Sequence, residues 1–480
     1  MEGKIQEQIP RWVQRLGQMC KEKVFPLYIV GGFVRNALLG IPISDMDVAG
    51  PAPPEDLMAA LQDEKNIRII PKALKFGTVE IHIHMENRWH SCEYTTFRKD
   101  FYGEGGSHVP EKVTFTPSLY QDALRRDFTV NALYYELDKG RLHDPLGGME
   151  HIRQRLICTT QDPMTVFQDD GLRLLRMLRF ACELKFSIER ATYETAREKI
   201  ILLKDISMER IRDEFVKILL SDSRYPDLPD YEGMVSHRRG LYGLYDLGAF
   251  PYIIPQLLEG VGMEQRKEYH AYDVFHHNLE ASIAMPAILH LRLAGLLHDI
   301  GKPFLQRKTG NMYGHDILGA TMVQDILGSK GLKFDNKTVE KVALLVRHHM
   351  YDLDNRAKSS TVRKKFISLG LDRARDLIRL RGADQKASGL SQEDPPMLEK
   401  WERVLEELEK GRIPLSMKDL QISGWDIMEI TGLGSSKKIG RIKKALFDWV
   451  IDHPEDNEPA VLKQRLREIM ERDRKKRHRN

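Results

Sequence analysis

The sequence predicts an α+β protein: a mixed-sheet α/β head over residues 1–157, then helices to the C-terminus. Three observations predict it. "TVEIHIHM" (78–85) alternates apolar and polar residues at period two, the mark of a half-buried strand. From about residue 160 the period becomes helical, and "ERATYETAREKIILL" and "SMERIRDEFVKILLS" repeat apolar residues every three or four positions. A chain of 480 residues is too long for one core, and "SRYPDLPDYEG" and "SQEDPP" break the helical signal where domains would end. The expected division is a head over 1–157, a helical neck over 158–222, a helical body over 241–390 and a helical tail over 397–480.

The elements follow in order. "LYIV" is a short buried strand, "FVRNALLG" a helix closed by Gly40, and "SDMDVAG" a strand ended by "GPAPP". "EDLMAALQDE" is a helix and "SCEYTTF" another strand. "DDGLRLLRMLRFACEL" reads as one helix. Hydrophobic content of 41% with 30% charged residues describes a globular chain rather than a disordered or membrane one. No apolar run approaches the roughly 18 residues of a spanning helix. The N-terminus lacks a signal-peptide core, and four scattered cysteines without CxxC spacing indicate neither a zinc cage nor a disulfide framework. A cytoplasmic location is expected. Net charge is only +4, but "SSKKIGRIKKALFDW" and "ERDRKKRHRN" concentrate lysine and arginine near the C-terminus, where they fit a phosphate backbone or a solvated tail.

The stretch "YIVGGFVRNALLGIPISDMDVAG" (28–50) carries the chemistry. Gly31 and Gly32 follow a strand and open a helix, so backbone amides there approach an anion closely. Arg35, one turn in, adds a fixed guanidinium for phosphate. Asp45 and Asp47, two apart in a strand, share a face about 6–7 Å apart along the chain. Such a pair calls for a cation between its charges, and Mg²⁺ with phosphates completing its shell is the natural occupant. Two-metal phosphoryl transfer calls for a third carboxylate; Glu93 in "SCEYTTFR" is favoured, with Glu80 in "TVEIHIHM" as its rival.

GG-x-V-R followed by D-x-D resembles the class II nucleotidyltransferases, a family of tRNA CCA-adding enzymes and bacterial poly(A) polymerases. "KFGTVEI", "EYTTFR", "LRRDFTVNALYYE", "HDPLGGMEHI" and "FQDDGLRLLRMLRF" follow in the family's order, so the likeness covers roughly residues 25–220. Asn36 stands where the family usually has aspartate, Asp169 where it usually has glutamate, and "GEGGSHVP" replaces a basic loop. The resemblance implies a nucleotidyltransferase head that adds CMP and AMP to the tRNA 3′ end from CTP and ATP with Mg²⁺. It implies that side chains read the incoming base, at Asp170 and Arg173, with Arg176, Arg179, Arg126 and Asp127 alongside. The spacing i, i+3 would put Asp170 and Arg173 on one helix face. Aspartate accepts from an exocyclic amino group and arginine donates to a ring nitrogen or carbonyl oxygen, so the pair suits C and A and opposes U and G. Unaided, a surface salt bridge is the commoner reading of such a pair. Arg176 and Arg179 drift off that face and would bind triphosphate or brace the neck.

A second pattern runs through "HAYDVFHHNLE", "LAGLLHDIGKP", "YGHDILGA", "LVRHHMYD" and "RGADQKAS". It resembles an HD phosphohydrolase-type domain, whose ligand set by motif position would be His277, His298, Asp299, His315, His349 and Asp384. Imidazole and carboxylate ligands suit Mn²⁺ or Ni²⁺. His270, His276 and His348 lie near enough in sequence to compete for the assignment. The leading expectation is a CCA-adding enzyme. Its alternatives are a poly(A) polymerase or a CC- or A-only enzyme, a nucleotide phosphohydrolase with an RNA-binding head, and a catalytically retired RNA-binding protein. Oligomeric state is open.

Overall fold

The period-two segment "TVEIHIHM" becomes the second strand in from one edge of a seven-stranded mixed sheet. The computed structural model describes residues 2–477 apart from 24, 44–45, 104–109, 231–232, 267, 269, 391–394 and 412, with side chains as far as residue 471. In chain order the strands are β1 (Tyr28–Val30), β2 (Asp47–Gly50), β3 (Ile67–Ala73), β4 (Thr78–Met85), β5 (Arg88–Thr96), β6 (Arg98–Phe101), β7 (Lys112–Phe115), β8 (Tyr134–Glu136) and β9 (Arg141–His143). The sheet runs β3-β4-β5-β2-β1-β8-β9, while β6 and β7 form a separate hairpin. β2 and β5 pair in parallel; the other neighbours are antiparallel. Val79, Ile81, Ile83, Cys92 and Tyr94 point into the core, leaving Glu80, His82, His84 and Glu93 on the opposite face. All four cysteines are buried and free.

Two compact units divide the chain: Met1–Leu258 with Ser329–Phe334, and Glu259–Gly328 with Asp335–Asn480. In the first, the sheet is followed by helices that include Pro163–Asp169, Arg173–Leu184, Arg190–Glu198 and Met208–Leu219. The single helix expected from "DDGLRLLRMLRFACEL" is broken, which corrects the sequence reading. Asp170 is extended (φ −151°, ψ 106°), and its carboxylate accepts from Leu172 N at 3.0 Å, a local bond that competes with helix. Gly171 fits the break because a Cβ there would lie 2.8 Å from the Leu202 carbonyl oxygen. Asp170 and Arg173 therefore do not share a helix face. After the break near residues 225–235 the next helix begins at Ser236, a little before the expected 241.

The second unit is helical throughout. Val274–Ile283, Leu289–Leu297, His315–Leu327, Asn336–His348 and Leu371–Ala387 pack on one another, with Phe275, Leu293, Val342 and Leu377 among their buried side chains. Toward the C-terminus, Gly424–Thr431, Lys437–Asp452 and Pro459–Arg477 close over a small core of Ile427, Leu446, Val450, Leu462 and Leu466. Among the described residues no helix is long and apolar enough to cross a membrane.

Candidate functional site

Strand register gathers the acidic side chains of the head. Asp47 on β2 pairs with Glu93 on β5, and Glu93 pairs with Glu80 on β4, so the three form a row across one face of the sheet. Neighbouring strands lie about 4.8 Å apart. The Glu93 carboxyl is pushed up by partial burial and then by the charges of Asp47 and Glu80. Glu80 is pulled down, first by its hydrogen bond from Lys72 at 2.7 Å, and His82 lies 3.2 Å from its other oxygen. Glu80 thus has a cation already, while Glu93 stands beside Asp47 with like charge. Asp45 lies outside the described residues. Asp47 lines an arginine-rich cavity, and the like-charged pair it makes with Glu93 fits a divalent cation.

Beside this row the chain leaves β1 through Gly31, whose φ of 70° and ψ of −129° only glycine adopts readily, and enters helix Gly32–Leu39. Arg35 on that helix is only 5% exposed. Its guanidinium donates to Asn131 Oδ1 at 2.5 Å and twice to Asn36 Oδ1, at 3.0 and 2.8 Å. The Asn36 amide in turn donates to the Pro42 carbonyl at 2.7 Å and to the Tyr225 hydroxyl at 2.9 Å. Asparagine can accept and donate at once here, which a carboxylate cannot. It ties Arg35 to the segment that leads into Asp45. Burial lowers the pKa of Arg35.

Gly31, Gly32, Arg35, Asp47, Arg126, Asp127, Asp170, Arg173, Arg176 and Arg179 all line one cavity of about 670 Å³. Their partners differ from what spacing implied. Arg173 donates to the carbonyls of Val166 (3.1 Å) and Arg125 (2.6 Å), and its nearest carboxylate is Asp169 at 3.7 Å. Asp170 is held by Arg210. Arg176 grips Asp127 through Nε (2.9 Å) and Nη2 (2.5 Å), and Arg179 pairs with Glu214 at 2.8 Å. Burial alone would raise the Asp127 pKa, but Arg176 and the Asn131 amide hold it well below the carboxylate range. Arg126 donates to Tyr134 (2.9 Å) and Asp122 (3.3 Å). Sequence reasoning did not find Arg210, Asn131 or Tyr225. Asn131 sits four residues after Asp127, a signal that was available; Arg210 and Tyr225 reach the cavity only through tertiary folding. The loop "GEGGSHVP" falls on residues 103–110, of which 104–109 lie outside the described set.

A second cluster lies in the helical unit. His277, His298 and Asp299 bring ligand atoms within 4.8 Å of one another, and so do Asp299, His315 and His349. Asp299 serves both groups, Oδ2 facing His277 and His298 at 3.6 and 3.4 Å and Oδ1 facing His315 at 3.1 Å. Asp384 Oδ1 is 3.0 Å from His277 Nε2. Every ring turns its Nδ1 to a backbone carbonyl: Ala387, Gly295, Met312 and Val346, at 2.6 to 3.1 Å. That orientation leaves Nε2 as the coordinating atom, the arrangement of metal-ligating histidines. Lys302 reaches Asp299 at 2.5 Å, and Arg381 bonds Asp384. His276 instead bonds Asp273 at 2.8 Å and His348 meets Lys365 at 3.1 Å, so both turn aside, while His270 packs edge-on against His277.

The mixed sheet with its carboxylate row and glycine turn defines a nucleotidyltransferase-type head, and the buried histidine centre an HD domain. Residues 27–158 match the poly A polymerase head domain, 185–226 the probable RNA and SrmB-binding site of polymerase A, and 269–384 the HD domain. The A-adding tRNA nucleotidyltransferase of Deinococcus radiodurans is 31% identical over 441 residues, 88% of this chain and 90% of that one. The chain belongs to the class II tRNA nucleotidyltransferase family with an HD domain. The CCA-adding enzymes of Geobacillus sp. (strain WCH70) and Anoxybacillus flavithermus are 38% and 42% identical over 42% and 40% of this chain, and 47% and 46% of their own. The match thus spans about half the length of those curated relatives. The crystal structure of the Bacillus stearothermophilus CCA-adding enzyme in complex with CTP is 26% identical, covers 98% of this chain and 99% of its own, and aligns with a TM-score of 0.64.

Proposed function

We propose that this protein extends the 3′ end of tRNA, adding C, C and A from CTP and ATP. The observation that carries the reading is the register of Asp47 beside Glu93 at the edge of a cavity lined by arginines. Asp45 and Asp47 would hold Mg²⁺, with Glu93 as third carboxylate. Divalent ions held there would acidify the terminal ribose hydroxyl and neutralise the departing pyrophosphate. The amides of Gly31 and Gly32 and the guanidiniums of Arg35, Arg126, Arg176 and Arg179 would receive the triphosphate. Asp170 would accept from the amino group of C or A, and Arg173, with donors left over from its two carbonyl contacts, would meet the ring acceptor. Residues 1–157 form the catalytic head and 158–222 the neck. In the tail, 397–480, Lys437, Lys438, Arg441 and Lys444 are exposed on helix Lys437–Asp452 and would follow the tRNA backbone.

The test is incubation with Mg²⁺ and tRNA lacking CCA, or ending in CC, with each nucleotide singly, followed by product sequencing. C twice and then A once supports the reading; a long A tail overturns it. Addition of A alone is a second reading, favoured by the full-length likeness to an A-adding relative, and the same assay separates it. In the body, 241–390, His277, His298, Asp299, His315, His349 and Asp384 would hold Mn²⁺ or Ni²⁺, supplying a Lewis acid. A cavity of about 980 Å³ bordered by His315 and Lys302 favours phosphoester hydrolysis there. Asp47→Asn and His298→Gln variants, assayed for extension and for nucleotide hydrolysis, separate the two centres.

A further inference from the structure

Asp170 is the acceptor half of the base-reading pair, yet its partner in that pair does not orient it. The Arg173 guanidinium is engaged by two backbone carbonyls. Asp170 lies between two helices in extended backbone, so its rotamer depends on what its carboxylate bonds. Its carboxylate is set by three contacts. Leu172 N donates to Oδ1 at 3.0 Å, and the fork of Arg210 spans both oxygens, Nη2 to Oδ2 at 3.0 Å and Nη1 to Oδ1 at 3.4 Å. Arg210 arrives from the separate helix Met208–Leu219 and borders the same cavity.

The surroundings give the fork work to do. Asp169 is adjacent, and burial pushes its carboxyl up to about 6, with Asp100 and Asp170 adding to the effect against Arg173. A carboxylate in that company is drawn toward other cations of the cavity unless something holds it. A bidentate guanidinium contact fixes both direction and plane, which a single charge does not.

We propose that Arg210 is a specificity-determining positioning residue, its guanidinium fork holding Asp170 as a fixed acceptor so that the amino groups of C and A are taken and the carbonyls of U and G refused. Without it Asp170 turns from the base, and a nucleotide presenting a carbonyl no longer meets an opposing oxygen. The inference rests on the reading of Asp170 given above. An aligned base contact of this kind sets a discrimination of about tenfold or more.

The experiment measures kcat/KM for each of the four nucleotides singly on tRNA primers with Arg210→Met, Arg210→Lys and Asp170→Ala. Arg210→Met is expected to raise use of UTP and GTP relative to CTP and ATP by about tenfold. Arg210→Lys, keeping charge without the fork, should recover only part of the selectivity, and a thermal melt matching the parent excludes loss of fold as the cause. If Arg210→Met raises KM for all four nucleotides alike and leaves their ratios unchanged, Arg210 is a phosphate-binding cation and the proposal fails. If Asp170→Ala also preserves the ratios, the base-reading role of Asp170 fails with it. If Asp170→Ala loses selectivity while Arg210→Met keeps it, only the role of Arg210 is overturned.

Discussion

Glu80 and Glu93 face each other across β4 and β5, and the difference between them is the company each keeps. Lys72 already neutralises Glu80, whereas Glu93 has Asp47 as its other neighbour. Replacing Glu93 with Gln should therefore lower primer extension by about 100-fold or more, as loss of a metal-site carboxylate does, while Glu80→Gln should change it less than about threefold. Equal losses in single-turnover assays would remove Glu93 from the third-carboxylate position. Asp169 gives a prediction in pH. It ends helix Pro163–Asp169, where a negative charge opposes the helix dipole, and burial first, then Asp100 and Asp170, raises its carboxyl from 3.8 to about 6. The folded protein then binds the proton more tightly than the unfolded chain. Between pH 3.8 and about 6 stability falls as pH rises, and above 6 the full penalty stands. Asp169→Asn should stabilise by about 1 kcal/mol at pH 8, after discounting for screening, and by nothing near pH 4. Melts at the two pH values measure it, and an equal gain at both would show that charge is not the cause.

The turn from β1 into helix Gly32–Leu39 is the element on which phosphate binding depends, and its tolerance to change separates sterics from backbone strain. A Cβ on Gly31 would meet nothing nearer than Arg126 Nη1 at 3.5 Å. Gly31→Ala thus has room, and its cost is the positive φ, about 1–3 kcal/mol. The expected result is a lower melting temperature and a higher KM for every nucleotide; unchanged values of both would show the turn relaxing freely. This element was legible in the sequence only in company: a pair of glycines after a buried strand is most simply a tight turn, and Arg35 with the D-x-D that follows is what points it at phosphate. β4 was legible too, its alternation fixing the face of each side chain, while β5 read only as strand-like. The helix break at Asp170 was not legible, since the local Leu172 N bond to its carboxylate is joined by the Leu202 carbonyl against Gly171 and the Arg210 fork, which come from residues 30 or more away in sequence. Strand order was equally out of reach. Period two gives the face of Glu80 and of Glu93 but not which one neighbours Asp47, and only the parallel pairing of β2 with β5 separates them. The histidines of the helical unit could be chosen by motif order, whereas the carbonyl contacts that aim their Nε2 atoms arise from helix packing.

At the scale of the whole chain, two sites of different chemistry occupy two separately packed units, and this makes their metal dependence separable. The head offers carboxylate oxygens, which suit Mg²⁺; the helical unit offers four imidazoles with Asp299, and Asp384 beside His277, which suit softer ions. An ion that binds folded but not unfolded protein stabilises by about 2.7 kcal/mol at 100 times its dissociation constant. In a unit of this size that corresponds to a rise of about 5–10 °C in melting temperature. Calorimetry of the full chain, stripped with chelator and then titrated with Mn²⁺ or Ni²⁺, should therefore move one transition upward and leave the other nearly in place. Asp299→Asn should abolish that movement, because Asp299 is the one carboxylate common to both histidine groups, while Mg²⁺-dependent primer extension continues at close to the parental rate. Were the Asn variant to respond to Mn²⁺ as the parent does, the ion would be binding elsewhere. Were extension to be lost together with the thermal shift, the helical unit would be coupled to the head chemistry rather than independent of it.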